Sequence, residues 1–147
     1  MDEAGVQQLL VTLAAGTSAG CGAATLRETH ISWVILAGQF AYKIKKPVDF
    51  GFLDFTSPER RRHFCEEELR LNRRFAPEIY LEVVTVTRGP RGAEIAGRGE
   101  VLDHAVKMRR FDERELLDQI AQRGELDDTL LRALARELAR LHRELPA

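Results

Sequence analysis

Two short apolar segments joined by a tight turn constrain the fold of this chain more than any other feature. Residues 33–36 form the first segment, residues 37–39 turn the chain, and the return begins at Phe40 and reaches Lys43. Apolar residues on both sides of a glycine-containing turn predict a β-hairpin. Ala41 precedes Lys43 by two residues, so both side chains face the same side of the strand. A lysine on the inward face of a strand requires an anionic partner, although a surface lysine on an edge strand is at least as common.

The size and composition of the chain fit one domain. It has 147 residues, of which 44% are hydrophobic and 31% are charged, and this supports a single core. The net charge of −1 argues against nucleic-acid binding, so we interpret the arginine run 60–62 as a solvated helix face. Cys21 and Cys65 form neither a metal nor a disulfide pattern, which predicts two free thiols. Without a signal segment or a long apolar run, we expect a cytoplasmic protein with no membrane contact.

Hydrophobic periodicity predicts an α+β fold. The predicted helices cover residues 3–14, 58–75, 113–122 and 128–145, and the predicted strands cover 25–29, 33–37, 40–46, 80–87, 93–96 and 105–108. Short turns between strands indicate a mostly antiparallel sheet of about five strands, with the second helix packed on one face. Residues 15–22 are rich in glycine but lack the lysine that ends a phosphate-binding loop, so we interpret them as a flexible connector.

The second predicted helix carries a glutamate within its apolar row. Phe64, Leu71 and Phe75 lie on one helix face, and Glu68 falls in the same row. A carboxylate on the buried side of a helix is costly unless a cation neutralises it. We predict that Lys43 is that cation. The alternative is that Glu68 lies at the edge of the row and pairs with nearby arginines or with solvent.

Two further segments are candidates for a ligand site. Thr29, His30 and Ser32 lie in the turn before the second strand, where their side chains could donate hydrogen bonds to phosphate oxygens. A plain turn capped by threonine and serine explains the same residues equally well. Met108 ends the last predicted strand, and Arg109 follows it. A buried methionine at such a position most often belongs to the core.

Four segments resemble the bacterial aminoglycoside-phosphotransferase-like proteins, which have a protein-kinase-like fold. The segments are THISWV at 29–34, AYKIKKPV at 41–48, FGFLDF at 50–55 and RRHFCEEELRLNRR at 61–74. In particular, they resemble the amino-terminal part of two-domain proteins that join a phosphotransferase-like domain to a P-loop ATP-binding domain. The resemblance extends over residues 26–145. It implies ATP-dependent phosphoryl transfer to a hydroxyl group of a small molecule.

The resemblance also implies a nucleotide site. In protein kinases the strand motif V-A-I-K places a lysine on the nucleotide phosphates, and a helix glutamate holds that lysine. By position, Lys43 matches the lysine and Glu68 matches the glutamate. The other implied ATP contacts are Ala41 beside the ring, Ser32 near the phosphates, and Met108 and Arg109 at the adenine edge.

The resemblance further implies a division of the chain. Residues 1–24 would form an amino-terminal helix and connector, 25–111 a kinase-like amino-terminal lobe, and 112–147 the first helices of a truncated carboxy-terminal lobe. The sequence contains no H-x-D catalytic loop, so we expect weak ATP binding, no turnover by this chain alone, and Mg²⁺ only with the missing lobe. That lobe, or another partner, would cover the last helix. The alternative is a non-catalytic module that scaffolds a partner without using ATP.

Overall fold

A computed structural model of the chain describes residues 1–16 and 24–144. Its elements are α1 (Glu3–Gly16), β1 (Thr25–Glu28), β2 (Ser32–Ala37), β3 (Phe40–Lys45), α2 (Pro58–Asn72), β4 (Tyr80–Gly89), β5 (Gly92–Ile95), β6 (Val101–Arg109), a 3₁₀ turn (Glu113–Glu115), α3 (Leu117–Gln122) and α4 (Asp128–Glu144). The predicted α+β class and order of elements are confirmed. Cys21 and nearly all of the predicted connector lie outside the described residues.

The six strands form one curled antiparallel sheet in the order β1-β2-β3-β6-β4-β5. The β2–β3 hairpin turns at Gly38, whose φ of 58° favours glycine. Strand β6 lies between β3 and β4, with Met108 opposite Ala41 and Val106 opposite Lys43. Since directly paired residues share a sheet face, these four side chains line one side of the sheet.

Helix α1 packs against the other side of the sheet. Val6 and Leu9 are fully buried and share a core with Trp33, Ile35 and Ile44. Helix α1 therefore belongs to the first compact unit, Met1–Arg110.

Helix α2 covers the sheet face that carries Lys43. Its start is as predicted, because the side chain of Ser57 accepts a hydrogen bond from the Arg60 N–H and Pro58 follows the cap. Its buried side differs from the prediction. Leu71 is among the exposed large hydrophobic residues, as is Phe75 in the turn after the helix, whereas Cys65 is buried.

Arg61 is also buried on α2, so the expectation that residues 60–62 are a solvated face is wrong for this residue. Its guanidinium group pairs with the fully buried carboxylate of Asp103 on β6. A buried arginine is tolerable when a carboxylate neutralises it. Because of this ion pair, the buried face of α2 is the one that carries Arg61 and Cys65, and not the one that carries the predicted apolar row.

Residues Phe111–Ala147 form a second compact unit. In α4, the side chains of Leu131, Leu134 and Leu138 are exposed and that of Leu141 is buried. The expectation of a partly uncovered leucine row is thus confirmed for three of these four residues. Among residues 1–16 and 24–144, no helix combines the length and apolar character needed to cross a membrane.

Candidate functional site

A carboxylate and two ammonium groups meet between β3 and α2, and we call Lys43, Lys45 and Glu68 the charged triad. Lys43 Nζ donates to Glu68 Oε1 at 2.8 Å, and Lys45 Nζ donates to Glu68 Oε2 at 2.8 Å. The lysines are two residues apart on β3, so both face α2. The predicted Lys43–Glu68 pair is confirmed. The alternative of a local arginine partner is wrong, since Arg70 pairs with Glu67 instead.

The two lysines of the charged triad differ in accessibility. The Lys43 side chain is 27% exposed, compared with 6% for Lys45 and 13% for Glu68. Lys45 Nζ also lies 4.9 Å from the centroid of the Phe55 ring, a cation–π contact with a buried aromatic residue. Lys45 is therefore fixed inside the site, and Lys43 is the lysine that a ligand can reach.

The charged triad carries a net charge of +1, from two ammonium groups and one carboxylate. Burial raises the pKa of Glu68, but the hydrogen bonds from Lys43 and Lys45 outweigh it and hold that pKa below its ordinary value. Glu68 is therefore ionised at neutral pH. The remaining positive charge is only partly exposed to water, so an anion near Lys43 would be favourable.

Two further side chains border the charged triad. Burial raises the pKa of the Cys65 thiol to about 12, and this cysteine is free. Burial also raises the pKa of Tyr80, with the charge of Glu68 adding to the increase and that of Lys43 opposing it. Tyr80 pairs with Met108 across β4 and β6, so it lies on the sheet face of the site. No motif in the sequence marks Tyr80 as a residue of the site.

Two residues implied at the adenine edge have different placements. Met108 lies opposite Ala41 on the sheet face of Lys43, as expected from the strand register. The backbone N–H of Arg109 donates to the Ile79 carbonyl at 2.8 Å. Because this bond already uses the donor, the Arg109 N–H is not available to a ligand in this arrangement, and the implied place of Arg109 at the adenine edge stays a prediction.

Ser32 does not present its hydroxyl to a ligand. It is fully buried, and its Oγ has no hydrogen-bond partner within the described part of the chain. The Thr29 hydroxyl donates to the Ser32 carbonyl at 3.1 Å and accepts from the Ser32 N–H at 3.0 Å. This is the plain capped turn, and the implied phosphate contact from Ser32 is not supported.

Neither Lys45 nor the hydrogen-bond network around it is among the site residues predicted from the sequence. Arg61 Nε donates to both carboxylate oxygens of Asp103, at 3.1 and 2.9 Å. Arg61 Nη1 donates to the carbonyls of Phe55 and Thr56, each at 2.9 Å. This arginine therefore holds the segment that places Phe55 beside Lys45. The two-residue spacing from Lys43 was the available signal for Lys45, whereas no local pattern links Arg61 to Asp103.

Known proteins similar to this chain include an uncharacterized protein of Mycobacterium bovis and two of Mycobacterium tuberculosis strains. Each is 38% identical to it over 117 residues, a match that covers 80% of this chain and 22% of the relative. The chain thus spans about a fifth of the length of these curated relatives. No protein-family profile and no solved structure matches it.

Proposed function

We propose that this chain is the nucleotide-binding lobe of a kinase-like small-molecule phosphotransferase, in which Lys43 binds the phosphates of ATP. The observation that carries the proposal is the 2.8 Å hydrogen bond between Lys43 on β3 and Glu68 on α2. In protein kinases, a strand lysine contacts the phosphates and a helix glutamate orients it. The order of three strands, a helix and further strands supports the same assignment.

The chemistry of the site fits a nucleotide phosphate. The charged triad offers one uncompensated positive charge at Lys43, the more accessible of its two lysines. Ala41 and Met108 lie on the same sheet face and would contact the ring. The buried Ser32 and the occupied Arg109 N–H are left out of the proposed contacts.

Phosphoryl transfer requires more than a phosphate-binding lysine. A base must accept the proton of the acceptor hydroxyl, and Mg²⁺ must neutralise charge on the phosphates. We therefore assign nucleotide binding to this chain, and transfer only to the chain together with residues that supply those groups. The proposed location is the cytoplasm, where ATP is available.

Titration of the purified chain with Mg-ATP by calorimetry tests the proposal. Lys43→Ala should weaken ATP binding at least about tenfold, because a hydrogen bond to a charged group contributes about 1.5–3 kcal/mol. Lys107→Ala is the matched control. Lys107 Nζ also donates to a glutamate, Glu82, at 2.8 Å and is 23% exposed. It lies opposite Tyr42 in the β3–β6 pairing, so its side chain is on the other sheet face from Lys43. Equal ATP affinity in wild type and Lys43→Ala would overturn the assignment.

The second candidate function is a non-catalytic module that binds or scaffolds a partner. The observation that favours it is the exposed row Leu131, Leu134 and Leu138 on α4, since exposed apolar rows mark interaction sites. Folded wild-type chain that shows no heat of ATP binding at millimolar nucleotide would favour this candidate over the first.

A further inference from the structure

One cross-strand row on the sheet face of Lys43 carries a second basic residue. Arg27 lies opposite Val34 in the β1–β2 pairing, and Val34 lies opposite Lys43 in the β2–β3 pairing. Directly paired residues share a sheet face, so Arg27 and Lys43 lie on one face with Val34 between them. Since neighbouring strands are about 4.8 Å apart, the Cα atoms of the two basic residues are about 10 Å apart.

The row is accessible at its basic residues. Arg27 is exposed, and Val34 and Lys43 are half-buried. Helix α2 packs mainly on β6 and β4, whereas Arg27 lies on β1, the strand at the other edge of the sheet. A ligand that reaches Lys43 from the side of β2 therefore lies over Val34 and within reach of the Arg27 side chain.

Two carboxylates near the row are bound to other cations. Glu28 follows Arg27 but belongs to the opposite sheet face, and Lys46 Nζ donates to it at 2.5 Å. Glu68 accepts from both lysines of the charged triad, which keeps a net positive charge. Arg27 adds a second formal positive charge to the face on which the charged triad lies. This combination favours an anion that carries more than one negative charge.

We propose that Arg27 and Lys43 together bind a diphosphate group, which lies across Val34 between them. The proposal rests on the proposed function, because it takes Lys43 as the phosphate-binding lysine. Lys43 keeps its hydrogen bond to Glu68, since an ammonium group has three N–H donors and the carboxylate takes one of them. The guanidinium group of Arg27 is planar, and its parallel N–H donors match two oxygens of a phosphate.

The separation of the two cations defines the class of ligand. A diphosphate group can place one phosphate against each cation, whereas a single phosphate has to draw both side chains together. The apolar side chain of Val34 offers no competing hydrogen bond along the way. The site therefore takes ATP and ADP, and it also takes inorganic pyrophosphate without a nucleoside.

Calorimetric titration with inorganic pyrophosphate and with Mg-ATP tests the proposal. Arg27→Ala should weaken both ligands at least about fivefold, because a charge-assisted contact to phosphate is lost. Arg88→Ala is the matched control and should stay within about twofold of wild type. Arg88 is also a strand arginine and its loss changes the net charge equally, but it lies on β4 and pairs with Glu100 at the surface.

A second pair of variants changes the position between the two cations. Val34→Asp places a carboxylate there, where it neutralises both neighbours, and should weaken pyrophosphate at least about tenfold. Val34→Thr has nearly the same shape without the charge and should stay within about threefold of wild type. Circular dichroism of each variant confirms that the comparison is made between folded proteins.

The outcomes separate this proposal from the proposed function. Unchanged affinity for both ligands in Arg27→Ala, an equal loss in Arg88→Ala, or no pyrophosphate binding by folded wild-type chain at millimolar ligand would overturn the diphosphate site. A loss of ATP affinity in Lys43→Ala would then still support nucleotide binding. Unchanged ATP affinity in Lys43→Ala would overturn the proposed function, and the shared site with it.

Discussion

The ammonium group of Lys43 and the carboxylate of Glu68 lie 2.8 Å apart although 25 positions separate them in the sequence. The contact joins the third strand of the sheet to the helix that packs on it. Its formation depends on the orientation of α2, which the buried Arg61–Asp103 pair fixes at the other end of the helix. The geometry of the proposed site therefore depends on contacts elsewhere in the first compact unit, and not on the two strands and the helix alone.

Replacement of Glu68 by glutamine should destabilise the fold at neutral pH. The change leaves two lysines without a carboxylate, and we expect a loss of about 2 kcal/mol in the free energy of unfolding. The folded-state pKa of Glu68 is lowered, so its contribution is present above the ordinary glutamate pKa of about 4.3 and is lost as pH falls through the folded value. Urea unfolding from pH 7 down to about pH 3 should show the difference from wild type shrinking only at the acidic end.

Glu67→Gln is the control for that experiment. Glu67 lies on the same helix but pairs with Arg70 at the surface, where ion pairs contribute little. It should change stability much less than Glu68→Gln at neutral pH. Equal losses in the two variants, or a Glu68→Gln effect independent of pH, would show that the carboxylate is not a buried ion-pair partner.

Asp103→Asn should cost about 3 kcal/mol of unfolding free energy, because it leaves the Arg61 guanidinium buried without a counter-charge. Both side chains are almost completely buried, at 3% exposure for Arg61 and 0% for Asp103. Denaturation with guanidinium chloride measures the loss. The reference variant is Glu100→Gln, which breaks the exposed Arg88–Glu100 pair. If Glu100→Gln destabilises the fold as much as Asp103→Asn, the network does not anchor α2.

Cys65 should be chemically silent in the folded protein. With a pKa of about 12, its thiolate fraction at pH 8 is about 1 in 10,000, and the thiolate is the reactive form. In a Cys21→Ser background, iodoacetamide should label the protein only after denaturation, as read by mass spectrometry. Labelling of native protein at the rate of a free thiol would mean that the α2–sheet interface opens readily.

Ser32→Ala should leave ATP binding unchanged and stabilise the fold by up to about 1 kcal/mol. The hydroxyl is buried and has no hydrogen-bond partner among residues 1–16 and 24–144, and an unsatisfied buried polar group is unfavourable. Thermal unfolding and calorimetric titration of the same variant provide both readouts. Weaker ATP binding by a folded Ser32→Ala protein would show that Ser32 contributes to nucleotide binding.

Local sequence patterns were sufficient for the elements that build the site. The turn at Gly38 and the two-residue period of β3 placed Ala41 and Lys43 on one face, and Ser57 with Pro58 marked the start of α2. Lys45 follows Lys43 by two residues, so the same two-residue period places Lys45 on that face as well. These features depend on neighbouring residues alone.

Long-range contacts account for what the sequence did not reveal. Helical periodicity selected an apolar row that ends at Phe75, but the carboxylate of Asp103, 42 positions from Arg61, makes a charged residue the buried one. Likewise, the Arg109 N–H is occupied by the Ile79 carbonyl at the end of the β4–β6 pairing. Neither contact leaves a signal in the local pattern of apolar and polar residues.

Covalent labelling with an acyl-phosphate derivative of ATP tests the central claim most directly, since the reagent acylates an amine that lies beside the nucleotide phosphates. The chain has the lysines Lys43, Lys45, Lys46 and Lys107, and peptide mass spectrometry resolves which of them is modified. We predict acylation of Lys43 that excess ATP suppresses, with Lys107 modified no more than background. Modification spread over the accessible lysines and insensitive to ATP would contradict a nucleotide site at Lys43.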